Sequence, residues 1–217
     1  MPAPVEHDAA SADGLWIIAG LGNPGIEYAF TPHNCGFLLV DELAQRAAVR
    51  VERRECQALT GRARLAGHSV LLAKPETFMN LSGIAVKSLL AKYDCPLPRL
   101  LVVSDDFDLP LGALRLRPRG SAGTHNGLRS VVGLLGPEFP RLRLGIHPGH
   151  PIRDAARFVT SPWRKADLPA VGRMLERAGD AVETLLRDGC ARAMSLYNAP
   201  PAADAGAAGD ATGLGKE

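Results

Sequence analysis

The stretch LWIIAGLGNPGIEYAFTPHNCGFLLVDELAQRAA (residues 15–48) decides the fold. Its first eight residues are aliphatic, aromatic or glycine without alternation, the pattern of a strand covered on both faces. Thr31 as N-cap, Pro32 at the first helical position and apolar residues at helical spacing from Phe37 onward predict that a helix follows, with His33 and Asn34 in its first turn. Unalternating runs recur at VLLAK (70–74), LLVVSD (100–105) and LRLGI (142–146). Between them a second helix is predicted after Pro75, with Thr77 as N-cap and Met79 and Asn80 in its first turn. A last helix carries Leu168, Val171, Leu175, Ala178, Val182 and Leu185 on one apolar stripe, which reads as core packing. Strands alternating with helices predict a single α/β domain with a mostly parallel mixed sheet flanked by helices. GALRLRP (112–118) alternates leucine with arginine, which predicts a strand with one wet, basic face.

Of the 217 residues, 46% are apolar, 22% charged and 5% aromatic, an ordinary globular composition with enough length for a sizeable core. Residues 1–14 and 199–217 hold few large apolar groups and read as disordered tails, which leaves the domain to 15–198. No run approaches the roughly 18 apolar residues of a membrane span, and the first residues lack the basic-then-apolar order of a signal peptide. A cytoplasmic protein is expected. Cys35, Cys56, Cys95 and Cys190 form no CxxC pair, so free thiols are expected rather than a disulfide framework or a zinc site. The formal charge is +2 overall; with −3 at residues 1–14 and −2 at 199–217, residues 15–198 stand at +7. Arg115, Arg117, Arg119, Arg129, Arg141 and Arg143 share the segment 114–143 with one acid, Glu138, which suggests a polyanionic partner or a solvated basic face.

Gly20, Gly22 and Gly25 satisfy GxGxxG after a strand, but Pro24 occupies the loop that would present amide donors. The helix also starts too late to meet a pyrophosphate, and Asp41 falls inside it. A dinucleotide site is therefore rejected, and the glycines are read as shaping a turn that holds Asn23. Asp105, Asp106 and Asp108 follow a strand end and admit a Mg²⁺ site or a solvated turn. His147 and His150 lack a third ligand nearby, and neither HExxH nor GxSxG occurs. Asn23, His33, Asn80, Asp105 and Asn126 each fall at a strand end or helix start. Those termini converge on one edge of a parallel sheet, so the set describes a site that hydrogen-bonds amides and activates water.

GLGNPGIEYAFTPHNCGF (20–37), KPETFMNLSGIAV (74–86), SDDFDLPLGALRLRPRGSAGTHNGLRS (104–130) and FPRLRLGI (139–146) resemble, in order and spacing, the signature segments of the bacterial-type peptidyl-tRNA hydrolases. RFVTSPW (157–163) and the last helix extend the resemblance over about residues 15–198. It implies cleavage of the ester between a peptide and the 3′ ribose of tRNA, with His33 as catalytic base and Asp105 as its partner. It also implies that Asn23, Met79, Asn80 and Asn126 bind the peptide end, that Tyr28 lies beside the 3′-terminal nucleotide, and that Arg115, Arg117 and Arg143 meet tRNA phosphates. No cofactor, metal, membrane or obligate protein partner is implied, and a monomer is expected. The chain departs from the pattern at Pro32, where a basic residue is frequent, at Cys35 for alanine, at Thr124 for glycine, and at GIHPG, one residue shorter than usual. Two rival readings are an RNA-binding module without catalysis, against which the His33 and Asp105 pair argues, and a Mg²⁺-dependent phosphoesterase built on the Asp105 cluster.

Overall fold

The four unalternating runs become four parallel strands at the centre of one seven-stranded sheet, because only a strand covered on both faces gains from apolar side chains in both directions. In the computed structural model, which describes residues 14–199, the strands are β1 (Trp16–Gly20), β2 (Arg53–Glu55), β3 (Ala58–Leu65), β4 (His68–Pro75), β5 (Leu100–Pro110), β6 (Leu114–Arg117) and β7 (Arg141–His147). The helices are α1 (Cys35–Arg46), α2 (Ser82–Tyr93), α3 (Asn126–Leu135), α4 (Ala155–Thr160), α5 (Leu168–Asp188) and α6 (Cys190–Tyr197). Strand order is β2-β3-β4-β1-β5-β7-β6. Pairing is parallel through β4, β1, β5 and β7 and antiparallel for β2, β3 and β6 at the edges, so the sheet is mixed with a parallel centre. The predicted tails fall outside the described residues except for Gly14 and Ala199.

Successive residues of each central strand feed opposite cores. Ile18, Leu72, Leu101 and Val103 pack with α1 and α5, whereas Ile17, Leu71 and Val102 pack with α2 and α3. On β6, Leu114 and Leu116 are buried while Arg115 and Arg117 are exposed, as the alternation predicts. The α5 stripe is core from Val171 to Leu185, but Leu168 at its start is exposed. Among the described residues no helix is long and apolar enough to cross a membrane.

Two helix starts differ from expectation. Thr31 gives no side-chain cap; its hydroxyl donates to the Tyr28 carbonyl at 2.9 Å, and Pro32–Asn34 form a 3-10 turn before α1 begins. Thr77 likewise caps nothing, its Oγ1 being buried without a partner, and Met79–Leu81 form a second 3-10 turn before α2. The glycines serve close packing more than turning. A Cβ on Gly20 would lie 2.1 Å from the Gly36 carbonyl oxygen, and one on Gly36 would lie 2.4 Å from the Leu21 backbone. The start of α1 is thereby pressed onto β1, which carries the preceding turn, and His33 with it, toward the end of β5. Only Gly25 in this loop needs its freedom, at φ +119°.

Candidate active site

Both 3-10 turns open at the C-terminal edge of the parallel strands, the edge where open α/β sheets place ligands. A cavity of about 590 Å³ there is lined by Asn23, Tyr28, His33, Met79, Asn80, Asp105 and Asn126, the seven residues singled out for catalysis and for binding the peptide end and the terminal nucleotide. Phe78, Phe107 and the α4 residues Ala155, Ala156 and Val159 complete an apolar wall.

Asn23 is fixed twice. Its backbone N–H donates to Asn34 Oδ1 at 2.8 Å while Asn34 Nδ2 donates back to the Asn23 carbonyl at 3.0 Å. Its own Oδ1 accepts the Met79 N–H at 2.9 Å, which ties the loop after β1 to the turn before α2. With that oxygen engaged, the amide Nδ2 is left as a donor. The buried clamp Asn34 was missed as a functional residue; its signal is an asparagine one position after His33 in a helix start that needs no second cap.

His33 Nδ1 lies 2.9 Å from Asp105 Oδ1, joining the turn before α1 to β5. His125, which the sequence reading passed over for its neighbour Asn126, places Nε2 on the same oxygen at 2.9 Å. The two rings lie 5.0 Å apart between centroids. Burial alone would push the Asp105 carboxyl up, but the interactions with His125 and then His33 outweigh it and hold the group well below the usual carboxylate range. Asp105 is therefore an anion at neutral pH. Beneath it, burial first and the Asp105 charge second push the Cys35 thiol up, so this cysteine is no nucleophile.

His33, Asp105 and His125 also bring three donor atoms within 4.8 Å of one another, the spacing of a metal site. The hydrogen-bond directions oppose that use. The Leu128 N–H donates to His125 Nδ1 at 3.1 Å, so the ring hydrogen belongs on Nε2, facing Asp105 rather than leaving a lone pair for an ion. Nor do the other carboxylates converge. Asp106, read as part of a solvated turn or a Mg²⁺ site, is buried; its Oδ2 meets Arg143 at 3.2 Å and its Oδ1 accepts the Asp108 N–H at 2.9 Å.

The arginines divide. Arg115 and Arg117 are exposed on β6, outside the cavity. Arg143 lines it, shared between Asp106 and the Ser121 carbonyl, to which Nη2 donates at 2.7 Å. Arg141 belongs to no surface. It is 1% exposed, its guanidinium lies 4.1 Å from the Phe139 ring centroid, and it donates to the carbonyls of Gly120, Ser121, Pro137 and Phe139. Burial, and next the charge of Arg143, bring its pKa down to about 10, which still leaves it charged.

The family model for peptidyl-tRNA hydrolase matches residues 17–205. The chain belongs to the peptidyl-tRNA hydrolase family. A peptidyl-tRNA hydrolase of Koribacter versatilis is 48% identical over 187 residues, covering 85% of this chain and 93% of the relative. One of Roseiflexus castenholzii is 51% identical over 192 residues, covering 86% and 88%. The crystal structure of peptidyl-tRNA hydrolase from Acinetobacter baumannii superposes with a TM-score of 0.80 at 33% identity, covering 86% of this chain and 95% of that one. The expected family and α/β architecture are thus borne out over nearly the whole length of the relatives.

Proposed function

We propose that this chain hydrolyses the ester joining the carboxyl end of a peptide to the 3′ ribose of tRNA, acting in the cytoplasm as a monomer with no obligate protein partner. The observation that carries the reading is the 2.9 Å bond between His33 Nδ1 and Asp105 at the wall of a cavity that Asn23, Asn80 and Asn126 also line. With Nδ1–H donated to the carboxylate, Nε2 is the basic nitrogen. It takes a proton from water as the water oxygen attacks the ester carbonyl, and Asp105 stabilises the imidazolium that forms. The tetrahedral intermediate places negative charge on the former carbonyl oxygen, for which the fixed Nδ2 of Asn23 is a ready donor. Collapse breaks the bond to the ribose 3′ oxygen, and that oxygen takes the proton back from His33. No nucleophilic side chain and no metal enters these steps.

Met79, Asn80 and Asn126 would then hold the peptide end, whose backbone amides ask for groups that both donate and accept, and Tyr28 the terminal nucleotide. Arg115 and Arg117, exposed on one face of β6, suit phosphates of the tRNA body. Arg143 is the weaker phosphate ligand of the three, since a phosphate must compete with Asp106 for it. The test is release of peptide from a purified peptidyl-tRNA, with and without EDTA, by the parent and by His33→Ala. Release that EDTA leaves intact and His33→Ala loses is expected. Release abolished by EDTA would replace the reading with metal catalysis, and tRNA binding without release would replace it with an RNA-binding module.

A further inference from the structure

The two imidazoles on Asp105 Oδ1 are not equivalent. His125 is the N-cap residue of α3, and its Nδ1 accepts the Leu128 N–H at 3.1 Å, a bond that the first turn of the helix supplies. Its other nitrogen faces Asp105 at 2.9 Å, so both ring nitrogens are engaged, and the side chain is 9% exposed. His33 has one nitrogen engaged, and its Nε2 makes no hydrogen bond to the described residues. The same carboxylate thus receives one histidine that is free to exchange a proton with the cavity and one that is not.

We propose that His125 is a positioning residue: the Leu128 amide holds it as an obligatory Nε2–H donor, and through that bond it fixes the Asp105 carboxylate that orients His33. The proposal rests on the reading of His33 as the base. A proton on His125 Nδ1 would face the Leu128 N–H and break the cap, so the ring cannot stand in for His33. A carboxylate with only His33 on it would be free to rotate, and the imidazole with it; the second donor removes that freedom. The helix start therefore serves the site twice, once by placing Asn126 in the cavity and once by setting a tautomer.

Two measurements test this. In long-range ¹H–¹⁵N spectra of the intact, histidine-labelled protein, His125 is expected as the Nε2–H tautomer with a bare Nδ1; an Nδ1–H tautomer or an imidazolium at neutral pH overturns the proposal whether or not the protein cleaves peptidyl-tRNA. In kinetics, His125→Ala is expected to lower kcat by about 10- to 100-fold, the range seen when a residue that orients a reacting group through another is removed. KM should stay within about twofold, since an interaction that acts only on the reacting group leaves substrate binding alone. His125→Gln, whose side-chain amide offers an N–H to Asp105, should recover most of kcat. A change in KM alone, or a His125→Gln variant no better than His125→Ala at equal thermal stability, reduces His125 to a helix cap and sinks the idea. Absence of hydrolysis by the parent would instead remove the base assignment, with the tautomer spectrum still deciding the role of the ring.

Discussion

At the scale of single residues, His33 is held by one bond and does its chemistry with the other nitrogen. His33→Ala should lower turnover by about 10² to 10⁴, or about 3 to 5 kcal/mol in the barrier, with the fold retained because a 3-10 turn start accepts alanine. Turnover within about threefold of the parent would remove His33 from the mechanism. Asp105→Asn should cost less, because an amide still bonds the imidazole while offering no charge and favouring the wrong tautomer. Asp106→Asn is a different matter from the neighbouring turn residue that the sequence suggested. Buried, and bonded to both Arg143 and the Asp108 amide, it should lower the melting temperature while leaving turnover by the folded enzyme close to that of the parent. If instead turnover collapsed and followed added Mg²⁺, the metal reading would return.

Elements divide the arginines by what covers them. Arg117 stands on the exposed face of β6, so Arg117→Ala should raise KM for peptidyl-tRNA with little change in turnover at saturation, and flatten the slope of log affinity against log salt by about 0.7 to 0.9. A short peptidyl ester lacking the tRNA body should be cleaved equally by variant and parent; a slower short ester would make this face structural. The β2–β3 hairpin supplies a second test. Glu55 accepts hydrogen bonds from Lys92 at 2.5 Å, Thr60 at 2.5 Å and Tyr93 at 2.7 Å, stapling the hairpin to α2. Burial opposes its ionisation, yet these partners bring its pKa from 4.5 down to about 2. A folded value below the unfolded one means stabilisation that is full above pH 4.5 and is lost as the pH falls through about 2. Glu55→Gln should therefore melt a few degrees below the parent at neutral pH, and the gap should close toward pH 2. An equal gap at both ends of the range would show that the charge contributes nothing.

Across the whole molecule, α1 and α5 cover one face of the sheet over a shared apolar core, and one side chain ties the end of α1 to α5. Arg46 at the end of α1 donates to Glu42 at 2.8 Å, Asp180 at 2.8 Å, Glu183 at 3.2 Å and the Glu176 carbonyl at 2.7 Å, and it packs over Gly179, where a Cβ would lie 2.5 Å from the guanidinium carbon. Replacing it with methionine should cost about 2 kcal/mol, since several charged hydrogen bonds go together in a partly buried setting. For a chain of this length that corresponds to a fall of about 4 to 8 °C in the melting temperature. Thermal denaturation checks the fall, and peptide release at 25 °C should be unchanged because the clamp sits at the C-terminal end of α1, whereas the cavity lies at its start. A melting temperature within a degree of the parent would mean that α5 is held by its apolar stripe alone.

The sequence by itself determined the parallel centre of the sheet, since four continuous aliphatic runs have no stable place except between two layers of helices. It also determined the wet face of β6, since period-two alternation leaves Arg115 and Arg117 nowhere but solvent. The β2–β3 hairpin was not legible, because its turn uses Cys56 and Gln57 at φ 49° and 57° without the glycine or asparagine that usually marks such a turn. Thr31 and Thr77 read as caps because composition reports what a threonine can do, not which carbonyl or cavity its hydroxyl meets. His33, Asp105 and the three asparagines were legible as a set through their expected positions at strand and helix ends and through the family resemblance, although β5 runs past Asp105 to Pro110 and only its regular pairing with β7 stops after Asp106. Tertiary structure alone decided that Arg141 is internal, that Arg143 is shared with Asp106, and that His125 joins His33 on one oxygen. Those facts depend on distances between β5, β7 and the start of α3, and a linear pattern holds no information about which of two neighbouring arginines a loop will cover, or which nitrogen of a ring a helix amide will claim.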